Sequence, residues 1–190
     1  MENQLTIESP DGAFRAYIAR PAKLPAPAVI VLQELFGVNV DIRATCDEQA
    51  KQGFIDIAQT IRAGAKLPNS TGKVALQGYC LGALMAFITA ARHEVDAAVA
   101  YHGGDTEKYL GEVGSLRAPL LMHLGEEDEF ISKTAQAQIK AALAKKPNAT
   151  VYSYPGQRHA FSRHNGLHYN AAAAMLANGR TSEFLNQHLR

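Results

Sequence analysis

The chain passes from Lys73-Val74-Ala75-Leu76 through Gln77-Gly78-Tyr79-Cys80-Leu81-Gly82-Ala83 into Leu84-Met85-Ala86-Phe87. A strand-type apolar run therefore becomes a helix-type run across one short turn, and few folds accommodate that. The turn must be tight enough to put its apical residue, Cys80, in a strained backbone conformation. Side chains at Gly78 and Gly82 would collide with the neighbouring strand and helix, which accounts for both glycines. Cys80 would then project above the end of a sheet at a helix N-terminus, where the partial positive charge favours a thiolate and an oxyanion alike. The same letters also suit a buried structural cysteine, since free cysteine is among the most buried residue types.

The rest of the chain bears on that choice. At 190 residues, 47% apolar and 19% charged with a formal net charge of +1, the sequence fits a single domain spanning 1–190 and shows no bias toward polyanions. Nucleic acid is not an expected partner. Met1-Glu2-Asn3-Gln4-Leu5-Thr6 does not read as a secretory signal, and apolar runs such as Ala28 to Leu32 are far short of the roughly 20 residues that cross a bilayer. A cytoplasmic protein without a membrane partner is expected, with Cys46 and Cys80 both reduced.

Leu5 to Ser9 and Ala13 to Arg20 flank the turn signal Pro10-Asp11-Gly12 and predict an antiparallel opening hairpin. Ala26 to Gln33 is a continuous apolar run of the kind buried on both faces of a parallel sheet. Val40 to Gln52 carries Ile42, Cys46 and Ala50 at four-residue spacing and predicts a helix ended by Gly53. Lys73 to Tyr79, Ala97 to Tyr101, Pro119 to Leu124 and Thr150 to Tyr154 predict strands. Leu81 to Arg92, Ser132 to Ala144 and a segment within His168 to Leu189 predict helices. The alternation gives an α/β fold with a mostly parallel central sheet and helices on both faces.

A strand entering glycine-x-cysteine-x-glycine and leaving as a helix is the nucleophile-elbow pattern of the α/β-hydrolases, with cysteine for serine. An elbow needs an orienting acid and a base, in that chain order, from loops after later strands. Gly125-Glu126-Glu127-Asp128 follows the Pro119 to Leu124 run, and Pro155-Gly156-Gln157-Arg158-His159 follows the Thr150 to Tyr154 run. Both loops open onto the sheet edge where such folds place their sites. Read blandly, the acids are a solvated helix start and His159 is one of seven histidines; the chain order of Cys80, Asp128 and His159 argues against coincidence.

These residues, with Gln33-Glu34-Leu35-Phe36-Gly37-Val38-Asn39 and His159-Ala160-Phe161-x-Arg163, make the sequence resemble the dienelactone hydrolases, or carboxymethylenebutenolidases. The resemblance covers nearly the whole chain. It implies an α/β-hydrolase fold and a Cys80, Asp128, His159 triad that opens a lactone or ester through a thioester, with dienelactone from aromatic-compound breakdown as substrate and maleylacetate as product. It further implies that Glu34 contacts the resting thiol and helps generate the thiolate. Backbone N–H groups of Leu81 and Leu35 would form the oxyanion hole, and Arg163 would hold a substrate carboxylate, so the expected ligand is a small, anionic lactone or ester. Such a triad needs no cofactor. His102, His123 and His164 could suggest a metal, but no HxxxH or CxxC spacing supports one. A monomer is the simplest expectation.

One stretch departs from the resemblance. Between Gly53 and Lys73 lie only Phe54 to Gly72, where the family carries a further strand, a long loop with a second substrate-binding arginine, and a helix. Phe54 to Ala58 could be that strand. The preferred reading is a helix, with Asp56 in its first turn and Ile57, Ile61 and Ala65 on its apolar face. That reading leaves an empty lane beside Ala26 to Gln33 and two rows of unpaired backbone groups. Either a short strand forms anyway, or the chain carries a natural or engineered deletion, or residues are missing from the sequence. The altered pocket keeps open a second function, a non-catalytic member of the fold that binds a small carboxylate or a partner. A third is a redox sensor acting through Cys80.

Overall fold

The computed structural model of the chain describes residues 3–9, 12–58 and 68–190. Among them, one sheet is built from β1 (Gln4–Ser9), β2 (Gly12–Ala19), β3 (Ala26–Leu32), β4 (Ile55–Ala58), β5 (Ser70–Tyr79), β6 (Ala97–Tyr101), β7 (Leu120–Gly125) and β8 (Ala149–Tyr154). Their spatial order is β1-β2-β4-β3-β5-β6-β7-β8. Neighbours from β4 to β8 run parallel, while β1 and β2 form an antiparallel hairpin joined antiparallel to β4. The hairpin register pairs Ser9 with Gly12, and Pro10 and Asp11 of the expected turn lie outside the described residues.

The helices are α1 (Val40–Lys51), α2 (Leu81–Arg92), α3 (Lys133–Leu143) and α4 (Ala171–Leu189). Asn39 caps α1 by accepting the Ile42 N–H at 3.1 Å, and the face expected to be buried, Ile42, Cys46 and Ala50, is buried. Gly53, at φ 97°, then turns the chain into β4. A kinked 3-10 segment, Thr106–Ser115, follows β6 and was not expected from the sequence.

The parallel strands bury residues on both faces. Ala28 and Ile30 of β3 and Leu76 of β5 pack under α2 and α3 with Phe87, Ile139 and Leu143. Val29, Val31 and Ala75 pack on the other face with Ile42 and Cys46 of α1 and Leu185 of α4. Neither Cys46 nor Cys80 forms a disulfide. No helix of the described residues is long and apolar enough to cross a membrane.

The preferred helical reading of Phe54 to Ala58 is corrected by β4. It pairs parallel with β3, from Ala28 opposite Ile55 to Val31 opposite Ala58, and antiparallel with β2, from Tyr17 opposite Ala58 to Ala19 opposite Asp56. The physical reason is the lane that a helix would leave open. Each buried backbone group left unpaired costs about 1–3 kcal/mol, whereas helix propensities differ by only tenths of a kcal/mol per residue. Phe54 and Ile55, exposed by only 0% and 2%, anchor the segment in the core. Ile61 and Ala65, the remainder of the expected helical face, lie outside the described residues.

Candidate active site

Five consecutive parallel strands each deliver one side chain to the carboxyl edge of the sheet. Glu34 follows β3, Cys80 follows β5, His102 follows β6, Asp128 follows β7 and His159 follows β8. This is where open parallel sheets collect ligands, because every strand ends there and every connection opens there.

Cys80 sits at φ 52° and ψ −115°, outside the regions that L-residues ordinarily occupy, and directly precedes α2. Its N–H donates to the Tyr101 carbonyl at 3.0 Å, so the strand pairing continues into the turn. A Cβ on Gly78 would lie 2.0 Å from the Gly82 carbonyl oxygen, and one on Gly82 would lie 2.2 Å from the Leu32 carbonyl oxygen. Both glycines are therefore required by close backbone approach, as the sequence suggested.

Asp128 and His159 are fixed together. His159 Nδ1–H donates to Asp128 Oδ2 at 2.8 Å, while Asp128 Oδ1 accepts the Phe130 N–H at 2.9 Å. Glu129 accepts the His159 N–H at 3.2 Å and pairs with Arg158, also at 3.2 Å, tying the two loops to each other. The imidazole is held edge-on between His102, at 4.7 Å between ring centroids, and Phe130, at 4.8 Å. Burial on its own would lower the His159 pKa, but the Asp128 carboxylate and the Cys80 sulfur outweigh it and push it up to about 9. The imidazolium is consequently the ordinary state at neutral pH.

Glu34 is buried, and its direct partners among the described residues are Arg163 and His102 rather than the Cys80 sulfur. Arg163 Nη1 donates to its Oε2 at 3.3 Å, and His102 Nε2 lies 3.5 Å from its Oε1. Burial favours its neutral form, but His102, Arg163 and His159 prevail and hold the carboxyl below its usual range. Arg163 is engaged a second time, through Nε to Asp41 Oδ2 at 3.4 Å.

His102 is the site residue that sequence reasoning missed, having been grouped with His123 and His164 as scattered histidines. It is fully buried, at φ 42°, and among the described residues neither ring nitrogen makes a well-formed hydrogen bond, Nε2 standing 3.5 Å from Glu34 Oε1. Burial lowers its pKa, so it faces Glu34 as a neutral ring. The available signal was its position, one residue beyond an apolar strand and just before Gly103-Gly104. His123 belongs elsewhere, bonded to the Tyr154 hydroxyl at 2.7 Å and the Thr181 hydroxyl at 3.0 Å.

Glu34, Leu35, Cys80, Leu81, His159 and Arg163 line one cavity of about 520 Å³, within the range of small-molecule sites. Asp128 stands behind His159 rather than in the cavity wall. The sequence-expected residues thus converge on one place.

The sequence profile of the dienelactone hydrolase family matches residues 14–64 and 55–189. A carboxymethylenebutenolidase of Pseudomonas putida is 33% identical over 95% of this chain and 94% of its own, and carboxymethylenebutenolidase 1 of Cupriavidus pinatubonensis is 29% identical over 92% of each. A dienelactone hydrolase-like promiscuous phosphotriesterase from metagenomic libraries superposes with a TM-score of 0.83 at 19% identity over 98% of both chains. At that identity the superposition speaks for the α/β-hydrolase fold alone. With a family profile matched across most of its length and a relative one-third identical end to end, the chain belongs to the dienelactone hydrolase family.

Proposed function

We propose that the chain hydrolyses carboxylic esters or lactones by nucleophilic attack from Cys80, with His159 as general acid and base and Asp128 orienting it. The observation that carries this reading is the Asp128 to His159 hydrogen bond of 2.8 Å in a ring whose charge is sustained by the Cys80 sulfur on its far side. A structural cysteine or a sensor thiol has no use for an oriented acid and base.

The thiolate attacks the ester carbonyl carbon and the carbonyl electron pair moves to oxygen, where the Leu81 and Leu35 N–H groups receive it. Collapse expels the alcohol oxygen, which takes the His159 proton, and leaves a thioester on Cys80. The sulfur of a thioester carries no charge, so part of what raised the His159 pKa is gone. The ring is then better suited to remain neutral and to take a proton from the attacking water. Water adds to the thioester carbonyl, and collapse returns the thiolate and releases the acid. Glu34 is kept ionised by Arg163 and His102 and lines the same cavity as Cys80.

Brief exposure to p-nitrophenyl acetate, followed by acid quench and intact mass, tests the reading. One acetyl group on Cys80 is the expected result; turnover with the label elsewhere would overturn Cys80 as the nucleophile, and no label with no turnover would place the chain among non-catalytic binders of the fold. A further expectation concerns pH. His159 must be protonated for acylation, and its charged form persists below about 9. Activity should therefore fall as pH rises through that value, read as the alkaline limb of kcat/KM. Asp128→Asn withdraws the support and should move the limb to lower pH.

A further inference from the structure

We propose that His102 is a positioning residue: its buried ring stands as a spacer between the Glu34 carboxylate and the His159 imidazolium and keeps the two charges from closing into a direct ion pair. The role rests on the hydrolytic reading and deepens it, since it decides whether the His159 proton stays available to the leaving group.

The ring touches both groups. Its Nε2 stands 3.5 Å from Glu34 Oε1, and its centroid lies 4.7 Å from that of His159, with the planes inclined at 64°. The backbone imposes this position. His102 follows β6 at φ 42°, a left-handed conformation that a histidine keeps only where its surroundings enforce it. Its N–H donates to the His123 carbonyl at 2.8 Å, and the turn beyond it is closed by the Thr106 hydroxyl, which donates to the Gly103 carbonyl at 2.9 Å. Backbone strain and a fully buried polar ring without a well-formed hydrogen bond are costs that a core position would shed by carrying leucine or phenylalanine. The two charged neighbours account for them.

Unlike charges attract strongly where surrounding protein screens them little. Burial favours a neutral Glu34, but His102, Arg163 and His159 together hold its carboxyl below the usual range, so the two charges already feel each other. Asp128 occupies Nδ1 of His159 at 2.8 Å. A second carboxylate in direct contact would therefore take the proton on Nε2, which is the one the leaving group needs. An uncharged imidazole suits the space between them. A cation there would repel His159 and claim Glu34, and burial keeps His102 neutral by lowering its pKa. An apolar ring would offer Glu34 no donor, whereas the Nε2–H tautomer turns one toward it. The other charged groups around His159 are the Cys80 sulfur, Glu129 at its N–H with Arg158 paired to Glu129, and His168, whose Nδ1 lies 3.1 Å from its carbonyl oxygen. Arg163 holds the far oxygen of Glu34 at 3.3 Å. Replacing His102 alters none of these residues, so the effect reports on Glu34.

Two measurements read the effect: the alkaline limb of kcat/KM for p-nitrophenyl acetate, and an NMR titration of the His159 ring, which needs no turnover. His102→Ala should raise the His159 pKa by about one unit, as an opposite charge brought into contact does. It should also lower kcat/KM below the limb about tenfold, because the proton is held that much more tightly. His102→Phe restores the spacing and should return the pKa to the parent value. Adding Glu34→Gln to His102→Ala removes the carboxylate and should cancel the rise. In the otherwise unchanged protein, Glu34→Gln should move the pKa far less than Asp128→Asn does. An unchanged or lowered His159 pKa in His102→Ala, or a rise that Glu34→Gln leaves in place, would overturn the spacer role. So would a Glu34→Gln shift as large as that of Asp128→Asn, a comparison that holds even where His102→Ala does not fold. A parent protein whose Cys80 is never acylated would overturn the hydrolytic reading, while the NMR titrations would still decide the role of His102.

Discussion

Replacing Cys80 by alanine is expected to reduce ester turnover to the buffer background, a loss of about 10⁴-fold or more, because removal of a covalent nucleophile leaves only binding and oxyanion stabilisation. The fold should survive. Alanine at φ 52° is strained as cysteine is, so the backbone cost at the elbow is already present in the parent chain. The side-chain change removes one sulfur from a half-buried position facing the cavity. Near-ultraviolet circular dichroism and the thermal midpoint should stay close to the parent values while kcat collapses and acetyl labelling disappears. The same variant separates catalysis from binding. A non-catalytic binder of small carboxylates would keep its ligand affinity in Cys80→Ala and would have shown no turnover to lose.

Why the residues proposed as nucleophile, acid and base could be picked out from letters, while other parts could not, has a physical basis. Each member of the proposed triad sits at or shortly beyond the end of a strand-type run, and such runs and glycine turns are local signals. Helix α2 begins and ends where the pattern placed it, Leu81–Arg92, because the glycine turn fixes its start and a continuous buried face carries it. β4 had no such signal. Its existence depends on two partners distant in sequence, Ala28 to Val31 on one side and Tyr17 to Ala19 on the other. Within a local window, Asp56 and a four-residue apolar spacing favour a helix, and only the accounting of backbone groups in β3 points the other way. The electrostatic setting of Arg163 was equally hidden, since Asp41 and Glu34 lie 122 and 129 residues away in the chain. His102 was hidden for a further reason. A single histidine after a strand carries no periodicity, and what marks it as part of the site is the approach of Glu34 and His159 from other strands.

The elbow's second glycine carries the other large effect. A Cβ on Gly82 would lie 2.2 Å from the Leu32 carbonyl oxygen and 2.6 Å from that of Gln33. Both obstacles are backbone, so no rotamer change relieves the clash; α2 and the end of β3 have to separate. Overpacking against backbone at a buried site should cost at least about 3 kcal/mol. For a chain of this length that corresponds to a fall of roughly 6–12 °C in Tm. Activity should fall by more than the lost stability explains. The strand end displaced by the new methyl group leads directly into Glu34 and Leu35, so the counter-ion of Arg163 and the proposed oxyanion donor move with it. Losing one such donor alone lowers kcat by about 10²–10³. Gly111→Ala is the matched control, because nothing lies within 4 Å of the added Cβ. Its melting and turnover should remain near those of the parent. A folded Gly82→Ala protein assayed well below its own Tm isolates the geometric effect from unfolding. Retention of the parent Tm and kcat in that protein would mean that α2 does not press on β3 at this point, and the oxyanion assignment to Leu35 would have to be withdrawn.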